Sequence, residues 1–225
     1  MSIDVIDHEF DFSPIKTRMQ SYIDKGLLSC VSTVILKGTD VLDVQNLGFQ
    51  DIEEGIALPE DAIFRVYSNT KIVTSVALMQ LYEVGRFKLE DPLEKYLPEF
   101  ADMQVLNAGA TNAEDCKNVE QKILIKHILS HSAGFSYGHF EPDSVIDQLY
   151  TEQGIGALVH EGGGDLEELC KRVGALPLAY EPGTFWRYSV ATDICARLVE
   201  VLSGQKFDAY LKQRIFEPLQ MVDTD

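Results

Sequence analysis

The sequence predicts a mixed α/β fold of the α+β kind, in which a sheet and a group of helices occupy separate parts of the chain. Two runs rich in β-branched residues, 30–36 and 41–49, flank the turn sequence Gly38-Thr39-Asp40, which indicates an antiparallel hairpin. Most later patterns have the helical period. Because an isolated hairpin is marginally stable in water, we expect that helices cover it or that its other strands come from sequence beyond this chain.

Helices are predicted from apolar periodicity and from residues that favour helix ends. Ser13-Pro14 begins the first helix, which ends near Gly26, and a second helix occupies residues 71–84 before Gly85. Later helices are predicted at residues 123–129, 167–173, 192–202 and 207–216. The helix at 71–84 has few polar positions, so we expect it to be buried.

Loops separate these elements where polar residues, glycine and proline are frequent. Residues 51–61 and 107–118 are predicted to be surface loops, and the glycine-rich segment 154–164 to be mobile. The chain contains no internal repeat. We expect one domain over residues 1–225, with the first helix and the hairpin in 1–60 and a mainly helical region in 61–225.

The charge balance argues against several classes of partner. The chain has 19 basic and 36 acidic side chains, a net charge of −17, so its surface repels nucleic acid and anionic lipid. We expect neither partner, although the same charge could attract a cationic substrate. Apolar runs fall short of the roughly 18 residues that a membrane-spanning helix needs. The acidic residues 4–11 are unlike a secretory signal, so we expect a cytoplasmic protein.

The cysteines and histidines give no metal-binding pattern. Cys30, Cys116, Cys170 and Cys195 are far apart, and the five histidines form no H-E-x-x-H pair. Cys195 lies in an apolar helical stretch and is expected to be an inert core thiol. We expect no metal site and assign no cofactor.

The tetrad Ser68-Asn69-Thr70-Lys71 is the first candidate for catalysis. Residues three apart at a helix start share a face, so the hydroxyl and the amine would point into the same space. The positive helix terminus and burial would both lower the pKa of Lys71 and make it a usable base. Ser13 and Ser203 begin two other S-x-x-K sequences, but a helix cap and a helix-end turn explain these better. Only Ser68 precedes a predicted buried helix directly after a loop.

Tyr188 is the second candidate, in the run Trp186-Arg187-Tyr188-Ser189. A phenol beside a Ser-Lys pair can carry a proton to a leaving group if an ammonium lowers its pKa. The alternative is that Trp186 and Tyr188 are core or rim aromatics. His131, in the run 127–135, could suggest a Ser/His pair, but its place between a helix and Gly134 favours a structural role.

Five sequence blocks, in order, resemble one enzyme superfamily. They are 64–71 (FRVYSNTK), 89–93 (LEDPL) with 96–98 (YLP), 125–135 (IKHILSHSAGF), 181–189 (EPGTFWRYS), and 215–219 (IFEPL) with Asp223-Thr224. Together they resemble the serine β-lactamase-related hydrolases, which include penicillin-binding proteins, AmpC-type β-lactamases and family VIII carboxylesterases. The resemblance extends from about residue 31 to residue 224 and is closest to the family VIII carboxylesterases.

This resemblance implies a β-lactamase-like fold, in which an antiparallel sheet built from both chain ends packs against a helical region. It also implies covalent catalysis through an acyl-enzyme. Ser68 would attack the carbonyl, Lys71 would accept or hold a proton, and Tyr188 would act as general base and then as acid to the leaving group. The Ser68 backbone N–H would supply half of the oxyanion hole.

The sequence departs from the family pattern at two places. A third motif, K/H-x-G on a later sheet strand, is absent before Asp225, and that strand carries the second oxyanion donor in the family. We therefore expect an amino-terminal part of a longer protein, or one chain of a split protein, that lacks the C-terminal sheet strands and is inactive alone. The second departure is Val190, which stands where the β-lactamases have an asparagine that binds substrate amides. A buried substrate amide would lack a hydrogen-bond partner there, so we expect esters to be preferred to β-lactams.

The expected function is that of a serine hydrolase, with a carboxylesterase acting on small esters as the first choice. Alternatives within the same chemistry are an acyltransferase, a β-lactamase, a D-amino-acid peptidase or another amide hydrolase. A catalytically silent scaffold is the alternative outside enzymes, and the presence of Ser68, Lys71 and Tyr188 together argues against it. The expected partner is a small-molecule ester or amide substrate. The sequence does not indicate the oligomeric state.

Overall fold

The computed structural model describes residues 4–156 and 164–225. The chain divides into two compact units, with the boundary between Arg65 and Val66. That residues 1–225 form one domain stays a prediction. Most of the glycine-rich segment 154–164, with His160, lies outside the described residues.

The first unit contains one helix and a three-stranded antiparallel sheet. The elements are α1 (Ser13–Asp24), β1 (Cys30–Lys37), β2 (Asp40–Asp51) and β3 (Ile56–Ala57), and the sheet order is β1-β2-β3. The hairpin predicted from the sequence is present, with Cys30 opposite Gly48 and Lys37 opposite Asp40. The prediction of a loop at 51–61 is wrong in part, because β3 pairs with the end of β2. Two residues are too short a segment for a periodic pattern to reveal.

The described part of the second unit is mainly helical, with a small antiparallel ladder. Its helices are α2 (Thr70–Glu83), α3 (Ile125–Leu129), α4 (Val145–Glu152), α5 (Leu166–Gly174), α6 (Ala191–Ser203) and α7 (Phe207–Leu211), the last continued by a π-helical turn at Lys212–Phe216. The ladder joins β4 (Gln104–Leu106) to β5 (Cys116–Asn118). The predicted loop at 107–118 therefore ends in a strand. The helix α4 was missed by the sequence analysis.

The core of the second unit is built around α2 and α6, which pack against each other. Leu78 on α2 and Ile194 and Leu198 on α6 have no exposed surface and belong to one apolar cluster. The prediction that α2 is buried is correct for one face only. Ile72 and Val76 on its other face are 65% and 46% exposed. The apolar composition of α2 therefore exceeds what its packing in the described residues requires.

We expect Leu78→Ala to lower the free energy of unfolding by about 2–5 kcal/mol, because it leaves a cavity between α2 and α6. The matched control is Ile72→Ala on the same helix, which removes an exposed side chain and should change stability by about 0.5 kcal/mol or less. Urea denaturation followed by circular dichroism measures both. Equal losses in the two variants would contradict the assignment of the buried face.

Candidate active site

Ser68 lies in a short 3₁₀ turn, Tyr67–Asn69, that leads directly into α2. Tyr67 has a φ of 46°, a left-handed conformation that is uncommon for a bulky residue. The Asn69 side-chain amide donates to the Val66 carbonyl at 3.0 Å and closes the turn. The hydroxyl of Ser68 is therefore held at the start of a helix by a constrained backbone.

The hydroxyl of Ser68 is hydrogen-bonded to the phenol of Tyr188, with 2.8 Å between the two oxygens. Tyr188 lies three residues before α6, on a segment that follows a turn at Gly183. The packing of α6 against α2 thus brings together two residues that are 120 positions apart in sequence. The structure places two of the three predicted site residues in direct contact.

Lys71 lies in the first turn of α2, and its ammonium group lies beside two tyrosine side chains. Its Nζ donates to the Tyr137 hydroxyl at 3.2 Å and lies 4.7 Å from the centre of the Tyr188 ring. The rings of Tyr137 and Tyr188 are stacked, with centroids 5.5 Å apart. Tyr137 was missed by the sequence analysis, because a tyrosine in a loop between helices carries no periodic signal.

The pKa of Lys71 is raised above its ordinary value. Burial lowers the pKa of Lys71, but the hydrogen bonds with Tyr188 and Tyr137 outweigh it. The expectation that burial and the helix terminus leave Lys71 with a lowered pKa is therefore wrong. The sequence argument counted those two effects and could not include the phenol oxygens that this fold places beside the amine. Lys71 is thus held as an ammonium.

The two phenols beside Lys71 have pKa values displaced in opposite directions. Burial raises the pKa of Tyr188, but its hydrogen bonds with Lys71 and Ser68 outweigh burial, so the net pKa is lowered. Burial, followed by the charge of Asp193, raises the pKa of Tyr137. A pair of titratable groups whose environments separate their pKa values is characteristic of acid–base sites. Tyr188 is therefore the more readily ionised of the two, and its phenolate is the form that can accept a proton.

His131 packs beside Tyr188, with ring centroids 4.9 Å apart. Its Nδ1 accepts the backbone N–H of Ser189 at 3.2 Å, so the ring proton is on Nε2. Burial, assisted by the charge of Lys71, lowers the pKa of His131 to about 4 and keeps the ring neutral near pH 7. This contact fixes the backbone next to Tyr188, which is the kind of structural role predicted for His131.

Val190 does not face a substrate-binding space. Its side chain has no exposed surface and packs in the apolar cluster at the start of α6. An asparagine introduced there would place an amide in the core, so the argument from Val190 against amide substrates is wrong. Cys195 is also buried as predicted, and burial raises the pKa of its thiol.

The other two S-x-x-K serines have local contacts typical of turns and helix ends. Ser13 is the first residue of α1, and its backbone N–H donates to Asp11 at 2.9 Å. Ser13 is not a side-chain cap, since Phe12 occupies that position. Ser203 ends α6, where its Oγ accepts from the Gln205 backbone and Gly204 adopts a φ of 74°. Turn and helix-end roles account for both serines.

An open cavity of about 630 Å³ adjoins the reactive groups. Ser68, Lys71 and Tyr137 line one part of it, and Thr192 and Asp193 at the start of α6 line another. Among the described residues, no group of three or more His, Cys, Asp or Glu side chains could hold a metal ion. In the same residues, no helix is both long and apolar enough to cross a membrane.

Helices with small antiparallel sheets, together with a serine and a lysine at the start of a core helix, define a β-lactamase-like protein. The family model described as Beta-lactamase matches residues 15–225. The chain belongs to this family, and the resemblance predicted from the five sequence blocks is confirmed.

Relatives in this family include named esterases. Esterase EstB of Burkholderia gladioli is 29% identical over 227 residues, covering 99% of this chain and 54% of its own length. An uncharacterized protein of Mycobacterium tuberculosis is 30% identical over 201 residues, covering 89% of this chain and 48% of its own length. The solved structure of EstCE1, "a hydrolase with promiscuous acyltransferase activity", aligns with a TM-score of 0.80 and 25% identity over 92% of this chain and 51% of that chain. The chain spans about half the length of these relatives.

We expect Tyr188 to ionise below the ordinary tyrosine pKa of 10.0, because the Lys71 ammonium stabilises its phenolate. Lys71→Met removes that charge and leaves the Ser68 hydrogen bond to oppose burial, so the Tyr188 pKa should rise. Titration of ¹³Cζ-labelled tyrosine by NMR measures it, with Tyr188→Phe assigning the resonance. The control is Lys95→Met, which removes a lysine 4.9 Å from a different tyrosine ring, that of Tyr96, and should leave the Tyr188 pKa unchanged. A Tyr188 pKa above the ordinary value in the unmodified chain would contradict the site electrostatics.

Proposed function

We propose that this chain carries the nucleophile and the acid–base groups of a serine hydrolase that acts through a covalent acyl-enzyme. The observation that carries the proposal is the 2.8 Å contact between Ser68 Oγ and Tyr188 OH, with the Lys71 ammonium beside the same phenol. A nucleophile in hydrogen-bond contact with a base, and a third group that tunes the base, is the arrangement that activates a serine hydroxyl. Small esters are the proposed substrates.

The acylation step assigns one task to each group. Tyr188, as phenolate, takes the proton of Ser68 while Oγ forms a bond to the ester carbonyl carbon. The carbonyl π electrons move to its oxygen, and the Ser68 backbone N–H is proposed as one donor to that oxyanion. When the intermediate collapses, the bond to the alcohol oxygen breaks and Tyr188 returns the proton to the leaving alkoxide. Lys71 keeps its proton and stabilises the phenolate by charge.

Deacylation repeats these steps with an acceptor in place of the leaving alcohol. Tyr188 takes a proton from water, the resulting oxygen nucleophile attacks the acyl carbon, and the Ser68 oxygen leaves and regains a proton. An alcohol in place of water would give transesterification by the same steps. Acyl transfer is therefore the second candidate function, which the reported acyltransferase activity of EstCE1 favours.

The relatives support an ester rather than an amide substrate. EstB is named as an esterase, as is the lovastatin esterase of Penicillium rubens, which is 30% identical over 73% of this chain. Val190 gives no support to this preference, since its side chain is buried. A β-lactamase or peptidase activity remains the alternative within the same mechanism. That residues 1–225 alone are inactive stays a prediction, as does a cytoplasmic location.

We expect one covalent adduct, on Ser68, when the full-length gene product containing this sequence is treated with a fluorophosphonate. The reason is that Ser68 is the hydroxyl in contact with a base of lowered pKa. Intact mass spectrometry and peptide mapping measure the adduct. Ser68→Ala should remain unlabelled, whereas Ser203→Ala should label like the unmodified protein. An adduct on Ser13, Ser132 or Ser203 would overturn the assignment, and absence of any adduct would favour the scaffold alternative.

Lys71 and Tyr188 should act as one proton-transfer unit. Lys71→Ala and Tyr188→Phe should each lower kcat by about 10²–10⁴, because each removes the same stabilised base. The double variant should be little worse than either single variant, since groups acting as a unit are not additive. Steady-state hydrolysis of p-nitrophenyl acetate provides kcat and KM. Fully additive losses would mean that the two groups act independently.

A further inference from the structure

Two loop segments carry Tyr137 and Tyr188, the phenols beside Lys71, and backbone hydrogen bonds join these two segments. The N–H of Gly183 donates to the Ser132 carbonyl at 2.8 Å, and that of Arg187 donates to the His131 carbonyl at 2.9 Å. Further along, the N–H of Val190 donates to the Ser136 carbonyl at 3.2 Å. Residues 131–137 and 183–190, which carry the two tyrosines, therefore form one hydrogen-bonded layer.

A buried ion pair fastens this layer to α4. The Arg187 Nη2 donates to the Asp147 Oδ1 at 2.9 Å, and Asp147 has no exposed surface. Arg187 Nε also donates to the Ser136 hydroxyl at 2.9 Å, and its Nη1 pairs with Glu141 at 2.9 Å. The planar guanidinium of Arg187 thus contacts Asp147, Ser136 and Glu141 through three different nitrogens, an arrangement that a lysine ammonium could not reproduce.

Asp147 is bonded through both carboxylate oxygens. The Ser136 hydroxyl donates to Oδ1, and the backbone N–H of Glu141 donates to Oδ2 at 2.8 Å. Burial raises the pKa of Asp147, but the hydrogen bonds from Ser136, Glu141 and Arg187 lower it further than burial raises it. The carboxylate therefore remains charged and paired in the interior.

The sequence positions of these groups connect the cluster to the site. Arg187 directly precedes Tyr188, and Ser136 directly precedes Tyr137. On the other side of Tyr188, the Ser189 backbone is held by His131. Both neighbours of Tyr188 are therefore fixed, while its phenol is left to face Ser68 and Lys71.

We propose that the Arg187–Asp147–Ser136 cluster is a positioning device that sets the Tyr188 and Tyr137 hydroxyls relative to Ser68 and Lys71. The inference rests on the proposed function. A buried ion pair is often no more stabilising than well-packed apolar side chains, so stability alone accounts poorly for its presence. Orientation accounts for it better, because a displacement of about 1 Å in a reacting group can lower a rate by about 10²-fold. Arg187, Asp147 and Ser136 are thus positioning residues.

The test compares Arg187→Lys with Arg197→Lys in the full-length gene product. Arg197 is a matched control, because it also bridges two carboxylates, Glu167 and Glu200, and its side chain is 19% exposed against 18% for Arg187. We expect Arg187→Lys to lower kcat by about 10²-fold with KM nearly unchanged, whereas Arg197→Lys keeps kcat. Equal kcat values in both variants would overturn the inference, as would a loss explained by an equal loss of folded protein.

A second readout does not depend on catalysis. Arg187→Lys leaves Lys71 and Asp193, the charges that act on Tyr188, unchanged. If Tyr188 moves away from Lys71 in this variant, its phenolate loses stabilisation and the Tyr188 pKa should rise. NMR titration of the tyrosine Cζ measures this in folded protein, and an unshifted pKa would overturn the inference. If Ser68 were not labelled by the fluorophosphonate, the proposed function would be contradicted, but the Tyr188 titration would still test whether Arg187 positions this tyrosine.

Ser136→Ala provides a milder variant for the case that Arg187→Lys fails to fold. It removes the hydroxyl between Arg187 and Asp147 and leaves the ion pair in place. We expect a fall in kcat and a rise in the Tyr188 pKa, both smaller than those expected for Arg187→Lys. An unchanged kcat and an unchanged Tyr188 pKa would also overturn the proposal.

Discussion

The contacts of the Lys71 ammonium with two phenols determine the protonation states of the whole cluster. Two effects work against a charged amine here, since burial and a helix amino terminus both disfavour a cation. Hydrogen bonding with the Tyr188 and Tyr137 phenols is sufficient to raise its pKa nonetheless. The retained charge in turn lowers the pKa of Tyr188. In the proposed mechanism the base is therefore the phenol in contact with Ser68, and Lys71 acts without giving up its proton.

The core helices bring these groups within reach of each other. Ser68 and Lys71 lie at one end of α2, and Tyr188 lies just before α6, so the packing of the two helices fixes their approximate separation. Apolar packing tolerates small shifts, because interdigitated side chains can adjust together. Hydrogen bonds and ion pairs have narrower geometric requirements. We infer that the apolar core sets the approximate distance and the polar cluster behind Tyr188 sets its orientation.

The sequence predicted the hairpin, the principal helices and the three candidate residues, because these depend on local patterns. Ser68 and Lys71 are close in sequence and precede a periodic apolar run, and Tyr188 lies in a recognisable block. The sequence could not predict the contacts of Tyr137 and Asp147 or the direction of the Lys71 pKa shift. Each depends on contacts between residues far apart in the chain, and α4, which carries Asp147, is a helix of only 8 residues. The buried position of Val190 was missed because sequence blocks do not show which way a side chain faces.

Backbone strain gives an independent reason to regard this cluster as functional. Tyr67 and His131 have φ values of 46° and 55°, and such conformations cost about 1–3 kcal/mol for residues other than glycine. Tyr67 directly precedes Ser68 and His131 packs on Tyr188, so two of the three non-glycine residues with a positive φ in the described part of the chain adjoin the proposed reacting groups; the third is Gln220. The His131 carbonyl accepts hydrogen bonds from the Arg187 backbone and the Tyr180 hydroxyl, and these contacts can hold the unfavourable conformation in place. Relaxing either position would remove strain, but it would also move the backbone next to Ser68 or the ring that packs on Tyr188. Their retention is better explained by the orientation that they impose on Ser68 and Tyr188.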